Sequence, residues 1–555
     1  MGQGPDGEMQ SGQEIGGRGL GARLSGFRRD ESGSILIFGI IMLTTVILLC
    51  GIALDVIHFE AERTTAQATL DRAVLAAADL SNTTPAQDVV DDYFQKAGVS
   101  RFSPKVTQTS GSMNEWKKVV GTVDVSTSTW FMRNFGIETL DGPSLATAQE
   151  AIGKVEISMV LDVSGSMAND AMKVWDSASG QYVYKLTLLK PAAVDFVKTM
   201  FTNVSNAGGS DGTLMISVVP YAEQVNIGTS LANQMTLTSE HTKGTCVDFT
   251  ASDFNTIQIT GTQTLARTAY ADVRTRDYHP SGYAAPYFRE CWGYDTTQTA
   301  SVLAFSQNKQ TIIDKINALV AEGDTAIDIG AKWGLALLDP AIRPTLNKMV
   351  TAGTVSSTLK DHPIAYTDTN TLKIMVLMTD GSNTNTFRLK NYRSGTSNIV
   401  YKTTSNWQGT TTTYYWYDSS RSSNKYYNFS TKSWTSVSGT TSMTWQQVWE
   451  TWSVAYFADN FAAKLPNTTA DGFFSSIVDH VGNVEKDARL KKVCDAAKAA
   501  GTKIFAIAYG ADANGEAALK DCVSAASNYY APQGSEIGAA FAGIANSIRL
   551  LRLTQ

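Results

Sequence analysis

The longest run of apolar positions in the chain is "SGSILIFGIIMLTTVILLCGIAL", residues 32–54, with no charged side chain in it. As a helix it spans roughly 34 Å, enough to cross the hydrocarbon core of a bilayer. A secretory signal has an apolar region of only about 7–15 residues and ends at a small-residue cleavage site. This run is longer and passes without a break into "DVIHFEAERTTAQATLDRAVLAAADL", where Phe59, Ala66, Leu70, Val74 and Ala77 recur at helical spacing. The pattern predicts a single transmembrane helix over 32–57 that continues outward as an amphipathic helix. Arg18, Arg23, Arg28 and Arg29 precede the span and only Arg63 and Arg72 follow closely, which predicts a cytoplasmic N-terminus. Residues 1–31, rich in Gly, Arg and polar side chains, read as a disordered cytoplasmic tail.

Beyond the span the period changes twice. "TTPAQDVVDDYFQKAG" predicts a short helix, and the alternating stretches "SPKVTQTS" and "WKKVVGTVDVSTSTWF" predict a small antiparallel sheet. Residues 58–150 therefore read as a helix-and-strand stalk. From Val155 onward, continuous apolar strands alternate with helical runs, the signature of a parallel sheet wrapped by helices. The strands are "VEISMVLD", "TLMISVVPY", "LKIMVLMTD" and "TKIFAIAYG"; the helices include "LLKPAAVDFVKTMF", "AIDIGAKWGLALL", "LKKVCDAAKAA" and the closing "EIGAAFAGIANSIRLLRL". Two stretches interrupt the alternation in this unit, residues 151–555. Residues 240–300 hold two cysteines and several aromatics. Residues 386–446 are a Ser/Thr/Tyr/Trp tract whose strand formers and turn residues predict inserted hairpins with a small core of their own.

Composition changes this picture little. At 555 residues the chain exceeds one compact core, and a formal charge of −6 argues against nucleic-acid binding. Cys50 lies inside the apolar run, which leaves Cys246, Cys291, Cys494 and Cys522 as two local pairs in a compartment that permits disulfides. Their spacing and the five histidines suit no zinc site.

The chemistry collects where strands end. "DVSGS" places Asp162, Ser164 and Ser166 just past one apolar strand; Asp380 in "MTDGSNT" ends another; Thr325 in "EGDTAID" opens a helix. In parallel α/β sheets ligands bind outside the carboxyl ends of the strands. Two carboxylates and several hydroxyls there make an oxygen-only site suited to Mg²⁺, Ca²⁺ or Mn²⁺. A bland alternative is that these residues only cap the next helix. D-x-S-x-S, a later Thr and a later "TDG" resemble the metal-ion-dependent adhesion site of von Willebrand factor type A domains. That resemblance implies a Rossmann-like, doubly wound parallel sheet. It implies Ser164, Ser166 and Thr325 as direct metal ligands, with Asp162 and Asp380 acting mainly through water. Thr351 and Thr379 also lie near polar turns. A coordination position would be left for an acidic side chain of a protein ligand.

The segment "ESGSILIFGIIMLTTVILLCGIALDVIHFEAERTTAQATLDRAVLAAA" resembles the anchor and helix of TadE/TadG-like proteins of Flp-type (tight adherence) pilus systems. The family's prepilin-type cleavage signal has no good match before the anchor, so an uncleaved anchor is expected. Enzyme motifs are lacking: "GGSDG" at 208–212 follows a helix and precedes a strand, against the strand–turn–helix context of a nucleophile elbow. The resemblances imply a non-enzymatic binding and assembly protein of the bacterial inner membrane, single-pass, with its C-terminal domain periplasmic or envelope-spanning. Its partners would be TadE-like and TadF-like pseudopilins and pilin. The alternative is a surface or periplasmic adhesin using the same site on a host or matrix ligand.

Overall fold

The structure is a computed structural model and describes residues 32–553 apart from 80–81, 83, 111–115, 152, 207–211, 275–284, 287–289, 292–299, 369, 406–409 and 466. The expected cytoplasmic tail, with its four arginines, lies outside the described residues, as does all of "GGSDG" but Gly212. The described chain mixes helices and strands and separates into two compact units, Met1–Glu150 and Ala151–Gln555.

In the first unit one unbroken helix, α1 (Ser32–Ala78), carries both the apolar run and the amphipathic stretch. Its first half is long and apolar enough to cross a membrane, and most of its large apolar side chains from Ile35 to Ile57 are exposed. Further along, Ala66, Leu70, Ala73, Val74 and Ala77 are fully buried. They pack with Val90 and Phe94 of α2 (Ala86–Lys96) and with Val119, Val123 and Val125. Those valines lie in a sheet of order β1 (Lys105–Ser110), β2 (Trp116–Ser128) and β3 (Thr139–Ala151). Alternation along β2 puts Val123 and Val125 on the helix while Thr122, Asp124 and Ser126 face solvent.

The second unit is built on a sheet of β4 (Lys154–Asp162), β5 (Leu214–Tyr221), β6 (Leu303–Ser306), β7 (Thr371–Thr379), β8 (Lys503–Ala508) and β9 (Tyr529–Tyr530). Their order is β6–β5–β4–β7–β8–β9, parallel except for β6, which runs antiparallel to β5. Successive residues face opposite cores. Ile157, Met159 and Leu161 of β4 join α3 (Lys185–Asn206), α4 (Lys309–Asn317) and a C-terminal helix, Ile537–Leu553, while Val160 joins α5 (Ile327–Ala336), α6 (Asn483–Ala500) and α7 (Ala513–Cys522). Burial on both faces is why these strands read as unbroken apolar runs rather than alternating ones. Gly334 allows α5 its close seat on β4, since a Cβ there would fall 2.3 Å from Val160 Cγ2.

Cys494 of α6 and Cys522 of α7 are disulfide-bonded with Cα atoms 5.1 Å apart, and Cys246 and Cys291 with Cα atoms 5.6 Å apart. The Ser/Thr/Tyr/Trp tract forms antiparallel strands between Thr396 and Thr444. They pack over an aromatic core that includes Trp416, Phe429, Trp449, Trp452 and Phe457. This excursion runs past the tract: Thr386–Leu389 pairs antiparallel with Val478–Val481, and helices at Trp445–Thr451, Val454–Asn460 and Ala470–Ile477 lie between.

Candidate metal centre

Register brings the candidate positions to one edge of the sheet. Asp162 is the last residue of β4 and lies opposite Tyr221 of β5, while Leu161 lies opposite Met378 of β7. Asp162 is fully buried. It accepts from the Ser164 N–H (2.8 Å) on one oxygen and from the Thr379 hydroxyl (2.8 Å) on the other, with the Tyr221 hydroxyl at 3.4 Å. Tyr221 itself donates to the Met378 carbonyl at 2.9 Å, tying the ends of β5 and β7 across β4.

After Asp162 the chain enters a 3₁₀ turn, Gly165–Ala168. Ser164 Oγ and Ser166 Oγ are 3.0 Å apart, and Ser166 donates to Asp380 Oδ1 at 2.6 Å. The turn is clamped against the loop before α5 by Gly165 N–H to Gly323 O (2.8 Å) and Glu322 N–H to Val163 O (2.9 Å). Behind Asp380, Gly515 at the start of α7 abuts the next peptide, since a Cβ there would lie 2.3 Å from Gly381 O. Asp162, Ser164, Ser166 and Asp380 thus form one group.

Thr325 comes to the same edge by its main chain. Its N–H donates to Thr384 Oγ1 (2.9 Å), and its carbonyl accepts from Thr384 N–H (3.0 Å) and Lys486 Nζ (3.2 Å). Among the described residues its hydroxyl makes no hydrogen bond to the other four. Thr379 is instead the threonine that touches Asp162. Thr351 ends the helix Arg343–Thr351, its hydroxyl on the Asn347 carbonyl.

Electrostatics follow from this packing. Burial, and secondarily the charge of Asp380, push the Asp162 carboxyl up from 3.8 to about 6 against the hydrogen bonds from Ser164 and Thr379. Asp380 has its own counter-charge: Lys185, buried at the start of α3, donates to Asp380 Oδ2 (3.1 Å) and lies 3.4 Å from the Gly510 carbonyl. Asp380 therefore turns one oxygen to an ammonium and the other to Ser166. No motif marked Lys185 or Tyr221 in the sequence, because their roles arise from a helix start and a neighbouring strand.

The donor set fits a hard divalent cation. It holds oxygen alone, with two buried carboxylates, two serine hydroxyls and an Asp162 charge that nothing fully offsets. Among the described residues no three His, Cys, Asp or Glu side chains cluster as a metal site, so the fit is to a mixed carboxylate–hydroxyl set.

No curated protein matches the sequence. The von Willebrand factor domain of the type V pili tip protein Mfa5 from Porphyromonas gingivalis is 13% identical, covering 72% of this chain and 96% of that one, with a TM-score of 0.30. The PilB minor pilin from Streptococcus sanguinis is 11% identical, covering 81% and 78%, also at 0.30. Proximal thread matrix protein 1 from the mussel byssus, with a zinc-occupied MIDAS motif, is 10% identical, covering 72% and 46%, at 0.25. Likeness of this size carries no assignment. The family model "Putative Flp pilus-assembly TadE/G-like" matches residues 33–80, the apolar run and the amphipathic stretch of α1 together. Over residues 33–80 the chain is similar to the TadE/G-like family of Flp pilus assembly.

Proposed function

We propose that this chain is a non-enzymatic assembly protein of an Flp-type pilus. It is held in the bacterial inner membrane by the first half of α1, its N-terminus in the cytoplasm and its second unit on the exported side. The second unit is read as a von Willebrand factor type A domain of the doubly wound, Rossmann-like kind, which the strand order and two-sided burial support. The pilus context rests on the family match over residues 33–80. The observation that carries the binding mode is the 2.6 Å bond from Ser166 to Asp380, which joins residues 214 positions apart into one oxygen-lined group.

In this reading Ser164, Ser166, Asp162 and Asp380 hold Mg²⁺, Mn²⁺ or Ca²⁺, with Thr325 at the same edge. The cation, when bound, supplies a positive centre for an acidic side chain of a partner such as a TadE-like or TadF-like pseudopilin or pilin. The protein's own groups set the site up. Tyr221 and Thr379 fix Asp162, the Gly165–Gly323 bond sets the serine turn, and Lys185 offsets Asp380. Two carboxylates and one ammonium leave the group with one net negative charge, so a divalent cation makes it net positive and receptive to a carboxylate.

Titration of the full chain in detergent with Mn²⁺ tests this, alongside pilus assembly by cells carrying Asp162→Ala. Saturable binding abolished by Asp162→Ala, with loss of pili, is expected. A folded chain that binds no divalent cation at millimolar concentration would overturn the binding mode, as would full pilus assembly by the variant.

A further inference from the structure

The turn between β2 and β3 is built against α1 where the apolar run ends. From Ile35 to Asp55 the helix rises about 30 Å, the thickness of a bilayer's hydrocarbon core. Asp55 is the first charged residue of α1, and its carboxylate is spent on the turn. It accepts from the N–H groups of Trp130 (2.8 Å), Phe131 (2.8 Å) and Met132 (2.7 Å). Four residues earlier Gly51 receives the Phe131 ring, which a Cβ at that position would strike at 2.3 Å. His58 stacks on Trp130 with ring centroids 5.0 Å apart. The turn is closed by Thr129 N–H to Glu138 O (3.0 Å) and by Gly136 at φ 83°, a left-handed conformation that glycine adopts without strain.

A turn held this firmly still exposes its apolar tips. Trp130, Phe135 and Ile137 are 62%, 57% and 42% exposed, next to an exposed Arg133. Bare aromatic side chains are costly in water but favourable at a membrane surface. There tryptophan and other aromatics settle at the headgroup level and arginine meets phosphate. Leu54, Val56 and Ile57 of α1, the neighbours of Asp55, are exposed as well.

We propose that the Trp130–Ile137 turn is a second membrane contact that dips into the leaflet from which α1 emerges. It sets the height and tilt of the first unit on the bilayer. The three N–H donors satisfy Asp55 at the membrane edge, where water is scarce and an unpaired carboxylate would be expensive. This rests on reading α1 as a membrane span.

The test uses the full chain in vesicles of phosphatidylethanolamine and phosphatidylglycerol. Cys50→Ser removes the unpaired thiol, and nitroxide labels are placed singly through Leu43→Cys, Phe135→Cys and Leu145→Cys. Leu145 is as exposed as Trp130, but its carbonyl meets Gln67, about 18 Å beyond Asp55 along the helix. Collision rates with oxygen, which partitions into lipid, and with a water-soluble nickel chelate give each label's depth. Lipid-like rates at Leu43 and Phe135 and water-like rates at Leu145 are expected, and Phe135→Asp should return a label at Ile137 to water. Water-like rates at Phe135 with lipid-like rates at Leu43 overturn this proposal alone. Water-like rates at Leu43 overturn the span and the proposal with it.

Discussion

Replacing Asp162 by Asn should stabilise the cation-free protein and at the same time blind it to cations. In the folded chain this carboxyl titrates near 6 instead of 3.8, because it is buried and faces Asp380. A raised carboxyl contributes stability that is fully present below pH 3.8 and is lost as pH rises through about 6. At pH 7.5 the ionised group therefore costs about 3 kcal/mol relative to its protonated form. Asparagine carries no charge and can keep the hydrogen bonds. Its oxygen takes the Ser164 N–H; its amide can donate to Thr379 Oγ1, whose proton turns to the Gly381 carbonyl 3.1 Å away. For a unit of roughly 400 residues, 3 kcal/mol corresponds to about 3–4 °C in Tm. Adding Mg²⁺ or Mn²⁺ at a hundred times its Kd should stabilise the parent by about 2.7 kcal/mol and the variant hardly at all. Differential scanning calorimetry with chelator and then with cation reads both effects, and a repeat below pH 4 should abolish the cation-free gain. A variant that melts lower than the parent in chelator at pH 7.5 would refute the electrostatic reasoning. An undiminished response to cation would refute Asp162 as a ligand.

Lys185→Met removes the ammonium from Asp380. Titration calorimetry should then find Mn²⁺ bound more tightly, while the cation-free protein loses about 3–5 kcal/mol; weaker Mn²⁺ binding would show that Lys185 is not a counter-charge. Replacing Cys494 and Cys522 by Ala opens a 28-residue closure and should cost about 3–4 kcal/mol by loop entropy, and an unchanged denaturant midpoint under oxidising conditions would contradict this.

Much of the fold could be read one residue at a time. The apolar run at 32–54 needs no partner to declare itself, because its chemistry matches a bilayer over one helix length. Strands such as "VEISMVLD" announce two-sided burial by lacking alternation, and "DVSGS" at the end of one marks a polar edge. Local pattern failed where partners are distant. By its composition the Ser/Thr/Tyr/Trp tract ends at residue 446, yet the excursion closes only where Val478–Val481 pairs with Thr386–Leu389, and nothing in either short strand names the other.

The oxygen-bearing residue types at strand ends are thus fixed by the sequence, and their assembly by the tertiary structure. Strand order β5–β4–β7 and its register place Tyr221, Asp162 and Thr379 side by side. The packing of α3 brings Lys185 onto Asp380, and the folding of β2 and β3 against α1 gives Asp55 to the turn at Trp130. Periodicity is a property of neighbours along the chain, whereas a site depends on crossovers and register. Those are decided when the two faces of one sheet are covered at once.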